Sequence, residues 1–500
     1  MAWALLAVVM VAWGGALQAW FANDDFLWLD VSHPRQVAAS FVGSAGVMNA
    51  FRPIVRVSFL IDWFLFGDQA ASWHLVNLAL HQACAWLFWL LVSRWLGAWP
   101  AALAALLFAA SPLLQENVIW ISGRSGMLGC LFGLISLLCF VRYLRAPNAR
   151  WLVALIAADL AALASYEAMI VLPLFHLGIA FRTAGGSPRR MCWRPLAWLI
   201  AAHVMLAVYR RLVLGSHISY EFRPISVQGL ADLARDYRPF LHQLQVPLRV
   251  LLVSPVALFA RRNRDLASAA LWVLSGVLLV MLPFVMFQGV ASRYFYLAML
   301  GVALLLVVLI QAIARLLPRG VGFGFTLLIV AVLLVREIGR AEAETADWVA
   351  AGRLGQDLIA KIAAVDPNPD PNALHVVLNL PVLDGDGELF FTYPDRAIRR
   401  FSRLPFDALL GGHQIVRLAG GAELTYLRKT IAVEDQWRAS QQMPPLTCLD
   451  TELAAASTPA MFLHDASRCG LDVLSVKNGE VQRASMSEFW AWYQQKTPKG

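Results

Sequence analysis

Apolar residues fall in runs of 15 to 21 positions along the first 335 residues, separated by short segments that carry arginine. The runs lie at about 2–20, 73–93, 99–113, 125–143, 151–165, 168–182, 195–213, 245–260, 268–287, 294–314 and 320–335. A helix needs ~20 apolar residues to cross a bilayer, so the pattern predicts a polytopic α-helical membrane protein of about eleven transmembrane helices. The run at 2–20 lacks the basic segment that opens a signal peptide, and it is read as a retained first helix.

The arginines support the same count. With a cytoplasmic N-terminus, the inner loops carry Arg94; Arg142, Arg145 and Arg150; Arg182, Arg189, Arg190 and Arg194; Arg261, Arg262 and Arg264; and Arg315 and Arg319. The opposite loops hold Glu116 with Arg124, Glu167 and Arg293, so the positive-inside bias alternates in register with eleven helices. Two outer loops are long, 21–72 and 214–244. The first contains FRPIVRVSFLIDWFLFG (51–67), where Arg52, Arg56 and Asp62 interrupt apolar sequence, as in an interfacial or re-entrant helix.

The polar pattern changes near residue 336. Residues 336–365 read as an amphipathic helix, and DPNPDPN (366–372) is a linker that no helix crosses. Beyond it, LHVVLNL (374–380), HQIVRLA (413–419) and LDVLSVKNGEVQRA (471–484) have β character, the last with an Asn-Gly turn. The predicted organisation is a membrane domain at 1–335, helix and linker at 336–372, and a small α/β or α+β extracytoplasmic domain at 373–500.

Composition agrees: 59% of residues are hydrophobic, 15% are charged, and mean hydropathy is +0.60. The net charge of +8 does not point to nucleic acid, because the arginines are spread over short loops rather than gathered in a stripe. Lysine is absent before Lys361 while arginine is plentiful, a usage that suggests a GC-rich bacterial source. Cys84, Cys130 and Cys139 lie in apolar runs and Cys192 in a basic loop, which leaves Cys448 and Cys469 as a candidate pair in an oxidising compartment. LDGDGEL (383–389) lacks the spacing of a calcium loop, and no Walker A, dinucleotide-binding or HExxH motif occurs.

Ionisable residues beside membrane segments are costly and mark candidate sites. Asp24 and Asp25, Glu116 and Arg124, Glu167, and Arg293 with Tyr294 all map to the outer ends of helices. Two readings stand: solvated loop residues, or a common site. His74, Asn77 and His81 share one helix face; polar packing and a substrate role both account for them, and two histidines two turns apart make a poor chelate. Trp28 and Trp120 fit either an interfacial aromatic belt or the lining of a sugar site.

The order NDD after the first helix, RPIVRVSFLIDWFLFG…HLVNLALH, SPLLQENVIWISGRSGMLGCLFGLISLL, ASYEAMIVLPL and ASRYFYLAMLGVALLL resembles the GT-C glycosyltransferases. It is most similar to the transmembrane O-mannosyltransferases with tetratricopeptide repeats and to bacterial relatives of the protein O-mannosyltransferases. The resemblance covers residues 1 to about 316; after the last helix a small domain stands where those enzymes carry repeats.

The resemblance implies transfer of a sugar from a polyprenyl monophosphate carrier to an acceptor hydroxyl at the outer membrane face. It implies Asp24 as general base, Asp25 as supporting acid, and Arg124, Arg293 and Tyr294 at the donor phosphate. Glu116, Glu167, His74, His81, Arg52 and Arg56 are supporting residues. An arginine clamp can replace a metal, so no cofactor is required and a divalent ion is not indicated. The expected partners are a polyprenyl-phosphate-linked sugar, a protein, glycan or lipid acceptor, and membrane lipids, with no nucleic acid. The expected location is the bacterial inner membrane, with the N-terminus cytoplasmic and the C-terminal domain periplasmic. The rivals are a transporter or flippase of lipid-linked sugars, which would show internal repeats and helices broken near the midplane, and a non-catalytic scaffold.

Overall fold

A computed structural model describes residues 1–31, 34–42, 51–183, 193–214, 292–365, 374–378, 383–384, 387–388, 407–410, 471–485 and 487–488. The chain forms two compact units, Met1–Ala19 with Val31–Ala346, and Trp20–Asp30 with Asp347–Gly500.

The first unit is helical. Its described elements are α1 (Ala2–Trp13), a 3-10 turn (Gly14–Gln18), α3 (Pro34–Ala39), α4 (Pro53–Phe66), α5 (Ala70–Leu96), α6 (Ala98–Ala109), α7 (Gln115–Val118) and α8 (Arg124–Arg145). They continue with α9 (Ala149–Ser165), a 3-10 turn (Glu167–Val171), α10 (Leu172–Thr183), α11 (Trp193–Leu214), a 3-10 turn (Ser292–Phe295), α12 (Tyr296–Ala314) and the first part of α13 (Arg319–Val365). Among the described residues four helical stretches are long and apolar enough to cross a membrane: Ala70–Leu96, Ile121–Arg145, Ser292–Ala314 and Arg319–Val365. A fifth results if Ala98–Ala109 and Pro112–Val118, bent by 58°, count as one span. The expected spans at 245–260 and 268–287, the outer loop beyond Leu214 and residues 43–50 of the first outer loop lie outside the described residues.

The runs at 2–20 and 168–182 each divide into a 3-10 turn and a 12-residue helix, and two further stretches take a different form for local reasons. The run at 99–113 breaks because Pro112 has no N–H to donate and disfavours a helical Ser111. The break orphans the carbonyl of Ala109, which accepts hydrogen bonds from Trp13 Nε1 (2.8 Å) and His81 Nε2 (3.0 Å). His81 Nδ1 then accepts from the Tyr296 hydroxyl at 2.7 Å, tying α1, α5, α6 and α12 together. His81 is thus placed as a polar strut. Conversely, the expected separate helices at 320–335 and 336–365 are one helix of 47 residues. No proline or turn sequence interrupts REIGRAEAETA, whose residues are mostly strong helix formers. At ~1.5 Å per residue α13 is about 70 Å long, twice the ~30 Å of a hydrocarbon core.

Deeper in the bundle, Ser136 (α8), Asp159 (α9), His176 (α10) and His203 (α11) form one buried polar cluster. Ser136 Oγ lies 3.0 Å from His176 Nε2 and 3.3 Å from Asp159 Oδ1, and His203 Nδ1 lies 3.1 Å from Asp159 Oδ2. Both imidazoles also bond through Nδ1 to the carbonyl four residues earlier.

The second unit contains α2 (Asp25–Val31, to Asp30), the last part of α13 and a mixed sheet ordered β4-β1-β5-β6. β1 (Leu374–Leu378) pairs in parallel with β4 (Asp407–Leu410) and β5 (Leu471–Lys477), and β5 pairs antiparallel with β6 (Glu480–Arg483). The β5–β6 turn is Asn478-Gly479, with φ of 54° and 77°, the left-handed geometry that this dipeptide accepts. Lys361 Nζ on α13 bonds the Gly479 carbonyl at 2.7 Å and Glu480 Oε1 at 2.8 Å, fastening the helix to that turn. β2 (Leu383–Asp384) and β3 (Gly387–Glu388) make a two-stranded antiparallel ribbon within LDGDGEL. The expected strand at 413–419 and the pair Cys448 and Cys469 lie outside the described residues.

Candidate active site

The segment SPLLQENVIWISGRSG is built around close backbone approach. A Cβ on Gly123 would stand 1.9 Å from the Glu116 carbonyl oxygen, so only glycine lets the start of α8 fold back on α7. Asn117 Nδ2 bonds the Gly123 carbonyl at 3.1 Å. Asn77 Nδ2 reaches the Trp120 carbonyl at 3.2 Å, locking the fold from α5. The result presents the Glu116 carboxylate to the turn before α12. Glu116 accepts from Ser292 N at 3.1 Å, Arg293 N at 3.4 Å and Arg293 Nη1 at 2.8 Å.

Arg293 is therefore held at one nitrogen and left accessible at the others. Its guanidinium lies 5.3 Å from the ring centroids of both Trp120 and Tyr294, and its side chain is 36% exposed. Among the described residues its Nε and Nη2 donors have no acceptor. A second pair stands nearby. Arg52, just before α4, forms a fork with Glu167 (Nε to Oε2 2.8 Å, Nη2 to Oε1 2.5 Å) and lies 5.2 Å from the centroid of the Tyr166 ring. Tyr166 is buried and within electrostatic reach of Glu167, Arg52, Tyr294 and Arg293, which joins the two pairs into one cluster. Arg210 on α11 also acts on the Glu167 carboxylate. Arg210 escaped sequence reasoning because it ends an apolar run, where an arginine passes for a helix-end charge.

Arg124 is placed elsewhere. Its side chain is 0% exposed, and its donors go to Asn77 Oδ1 (2.7 Å), Ser58 Oγ (2.9 Å), the Trp73 carbonyl (3.1 Å) and the Asp62 carboxylate. The Phe59 ring lies under it at 4.9 Å. Arg124 is the pin that holds α4 and α5 against α8, and its expected partnership with Arg293 at a phosphate is absent from this geometry. The lone Asp62 in SFLIDWFLF was the available signal: a carboxylate in an apolar helix requires a buried cation. Arg56 and His74 are buried on α4 and α5, and Asn77 serves Arg124 and the Trp120 carbonyl. Among the described residues, no group of three or more His, Cys, Asp and Glu side chains is arranged to hold a metal.

The aspartate pair belongs to the second unit. Asn23 takes a left-handed φ of 54°, which turns the chain so that Asp25 Oδ2 accepts from Ala22 N at 3.0 Å. Asp25 is buried and its carboxylate braces its own loop, whereas Asp24, just before α2, is only half-buried. Trp20, Phe21, Phe26 and Trp28 pack the loop, with the Trp20 and Phe26 rings 5.3 Å apart.

No family model matches the chain. In sequence it is similar to a protein O-mannosyl-transferase of Xenopus laevis, 36% identical over 101 residues, which is 20% of this chain and 12% of the relative. It is also similar to a protein O-mannosyl-transferase of Drosophila melanogaster, 30% identical over 179 residues, 33% of this chain and 21% of the relative. The matches thus span about an eighth to a fifth of those relatives' lengths. In structure the chain is similar to ArnT from Cupriavidus metallidurans bound to undecaprenyl phosphate, with a TM-score of 0.53 and 14% identity over 95% of this chain and 96% of that one. In sequence over a fifth to a third of its length, and in fold over nearly all of it, the chain is similar to the GT-C glycosyltransferases.

Proposed function

We propose that the protein is a membrane glycosyltransferase that moves a sugar from a polyprenyl monophosphate carrier to a protein hydroxyl. The carrier is suggested by a fold shared with a protein solved with undecaprenyl phosphate, and the hydroxyl acceptor and a mannosyl donor by the names of the sequence relatives. The observation that carries the reading is Arg293: anchored by Glu116, stacked between Trp120 and Tyr294, and with open donors suited to an anionic oxygen.

In the reaction the acceptor oxygen bonds to C1 of the sugar while the bond from C1 to the phosphate oxygen breaks. The electron pair leaves with the lipid phosphate, and the hydroxyl proton goes to a carboxylate base. Arg293 offsets the charge that develops on the phosphate. Arg52 and Glu167 hold Tyr166 and the adjoining wall in place. Arg124 acts by holding the helices. Asp24 is the base, and Asp25 sets its loop; Asp24 is the half-buried residue of the two, whereas Asp25 is buried. We assign the chemistry to the outer face of a bacterial inner membrane, on the arginine pattern of the loops.

The test is Asp24→Asn in purified protein, supplied with undecaprenyl-phosphate mannose, then other undecaprenyl-phosphate sugars, and Ser/Thr-bearing peptides. Expected is loss of transfer with undecaprenyl phosphate binding retained. Wild-type turnover in the variant excludes Asp24 as base, and movement of lipid across vesicles without transfer in the native protein favours a flippase.

A further inference from the structure

The loop that carries Asp24 approaches α13 closely at Gly352. A Cβ on Gly352 of α13 would stand 2.8 Å from the backbone nitrogen of Trp20, 3.1 Å from its Cβ and 3.4 Å from its Cα. The contact is with backbone, which cannot rotate aside as a side-chain tip can. Around it α13 presents a buried face of Trp348, Ala351, Gly352, Gly355, Leu358 and Ile359. Four residues after Trp20 comes Asp24. Little slack separates them: Phe21, Ala22 and Asn23 are all buried, Asn23 is in the left-handed turn, and Asp25 bonds back to Ala22.

α13 has other glycines to compare. A Cβ on Gly320, Gly324 or Gly339 meets nothing within 4 Å. Helical propensity alone favours alanine over glycine by about 1 kcal/mol at each such position. At Gly352 that gain is opposed by the Trp20 backbone.

We propose that Gly352 is a positioning residue for the Asp24 carboxylate: it sets how closely the Trp20–Asp25 loop seats on α13. The inference rests on the reading of Asp24 as base, and it adds to that reading the element that fixes where the base sits. An alanine at 352 must move the loop by about 0.6 Å, from 2.8 Å to the 3.4 Å of ordinary contact. Since misplacement of a catalytic group by about 1 Å can cost about a hundredfold, G352A is expected to lower kcat about tenfold and G352V about a hundredfold.

The experiment measures kcat with undecaprenyl-phosphate mannose and, separately, undecaprenyl phosphate affinity for G352A, G352V, G339A and D24N in the full chain. Expected is a fall in kcat for both Gly352 variants with lipid phosphate affinity within twofold of wild type, and wild-type behaviour for G339A. Equal kcat in G352A and G339A overturns the proposal, and so does a parallel loss of kcat and lipid phosphate affinity, which marks general damage. Turnover in D24N refutes the base assignment instead, whereas an inactive D24N with unaffected G352A refutes only the role of Gly352.

Discussion

Replacing Arg124 by alanine separates a structural arginine from a substrate-binding one. In the native structure the guanidinium is fully enclosed and bonds Asn77, Ser58, Trp73 and Asp62. Arg124→Ala removes these partners and leaves Asp62, whose side chain is 3% exposed, without its cation. Breaking a buried pair on one side costs about 3–5 kcal/mol, because the remaining charge stays desolvated. At ~1.4 kcal/mol per decade, the folded population falls relative to the unfolded by roughly two to three and a half decades. The expected result in detergent is a large drop in the thermal unfolding midpoint and in yield, while folded molecules that remain bind undecaprenyl phosphate as wild type does. The double variant Arg124→Met with Asp62→Leu, which removes both charges and keeps the volume, should recover much of the lost stability. If Arg124→Ala keeps its midpoint and loses lipid phosphate affinity, the reasoning fails and Arg124 belongs to the donor site.

Arg293→Ala should do the opposite, because the side chain is partly exposed and has open donors. Hydrogen bonds to a charged group contribute about 1.5–3 kcal/mol, so undecaprenyl phosphate should dissociate about 10- to 150-fold more readily with the unfolding midpoint little changed; equilibrium binding checks this. Tyr296→Phe leaves His81 Nδ1 without its donor in a buried site, an expected loss of about 1–3 kcal/mol seen as a lower unfolding midpoint, with lipid phosphate binding unaffected.

Much of the membrane architecture is legible as local pattern. The runs at 125–143, 151–165, 195–213 and 294–314 became α8, α9, α11 and α12 with ends within a few residues, because apolar length and helix-end arginines act locally. The Asn-Gly turn was legible for the same reason: left-handed φ is a property of those two residues. The continuity of α13 through residue 336 was missed because a change from apolar to polar composition resembles a boundary although nothing in the backbone ends there. Of the site, the acids and bases were visible as charges beside apolar runs, but their pairing was not. Glu116 with Arg293 spans 177 residues and Arg52 with Glu167 spans 115, separations over which spacing carries no information.

By itself the sequence determined that this chain is apolar enough to be read as a membrane protein, where most helices run, and which ionisable residues stand beside apolar runs as candidates for a site. The tertiary structure decided what those residues do to one another. Arg124 and Arg293 are chemically identical and both begin near a helix end, yet one is sealed by Asp62 and Asn77 and the other lies open on Trp120 and Tyr294. Burial and partner geometry belong to the packing of distant segments. So does the part played by glycine at 352, where nothing in the helix itself asks for it and any larger residue must displace the backbone of Trp20.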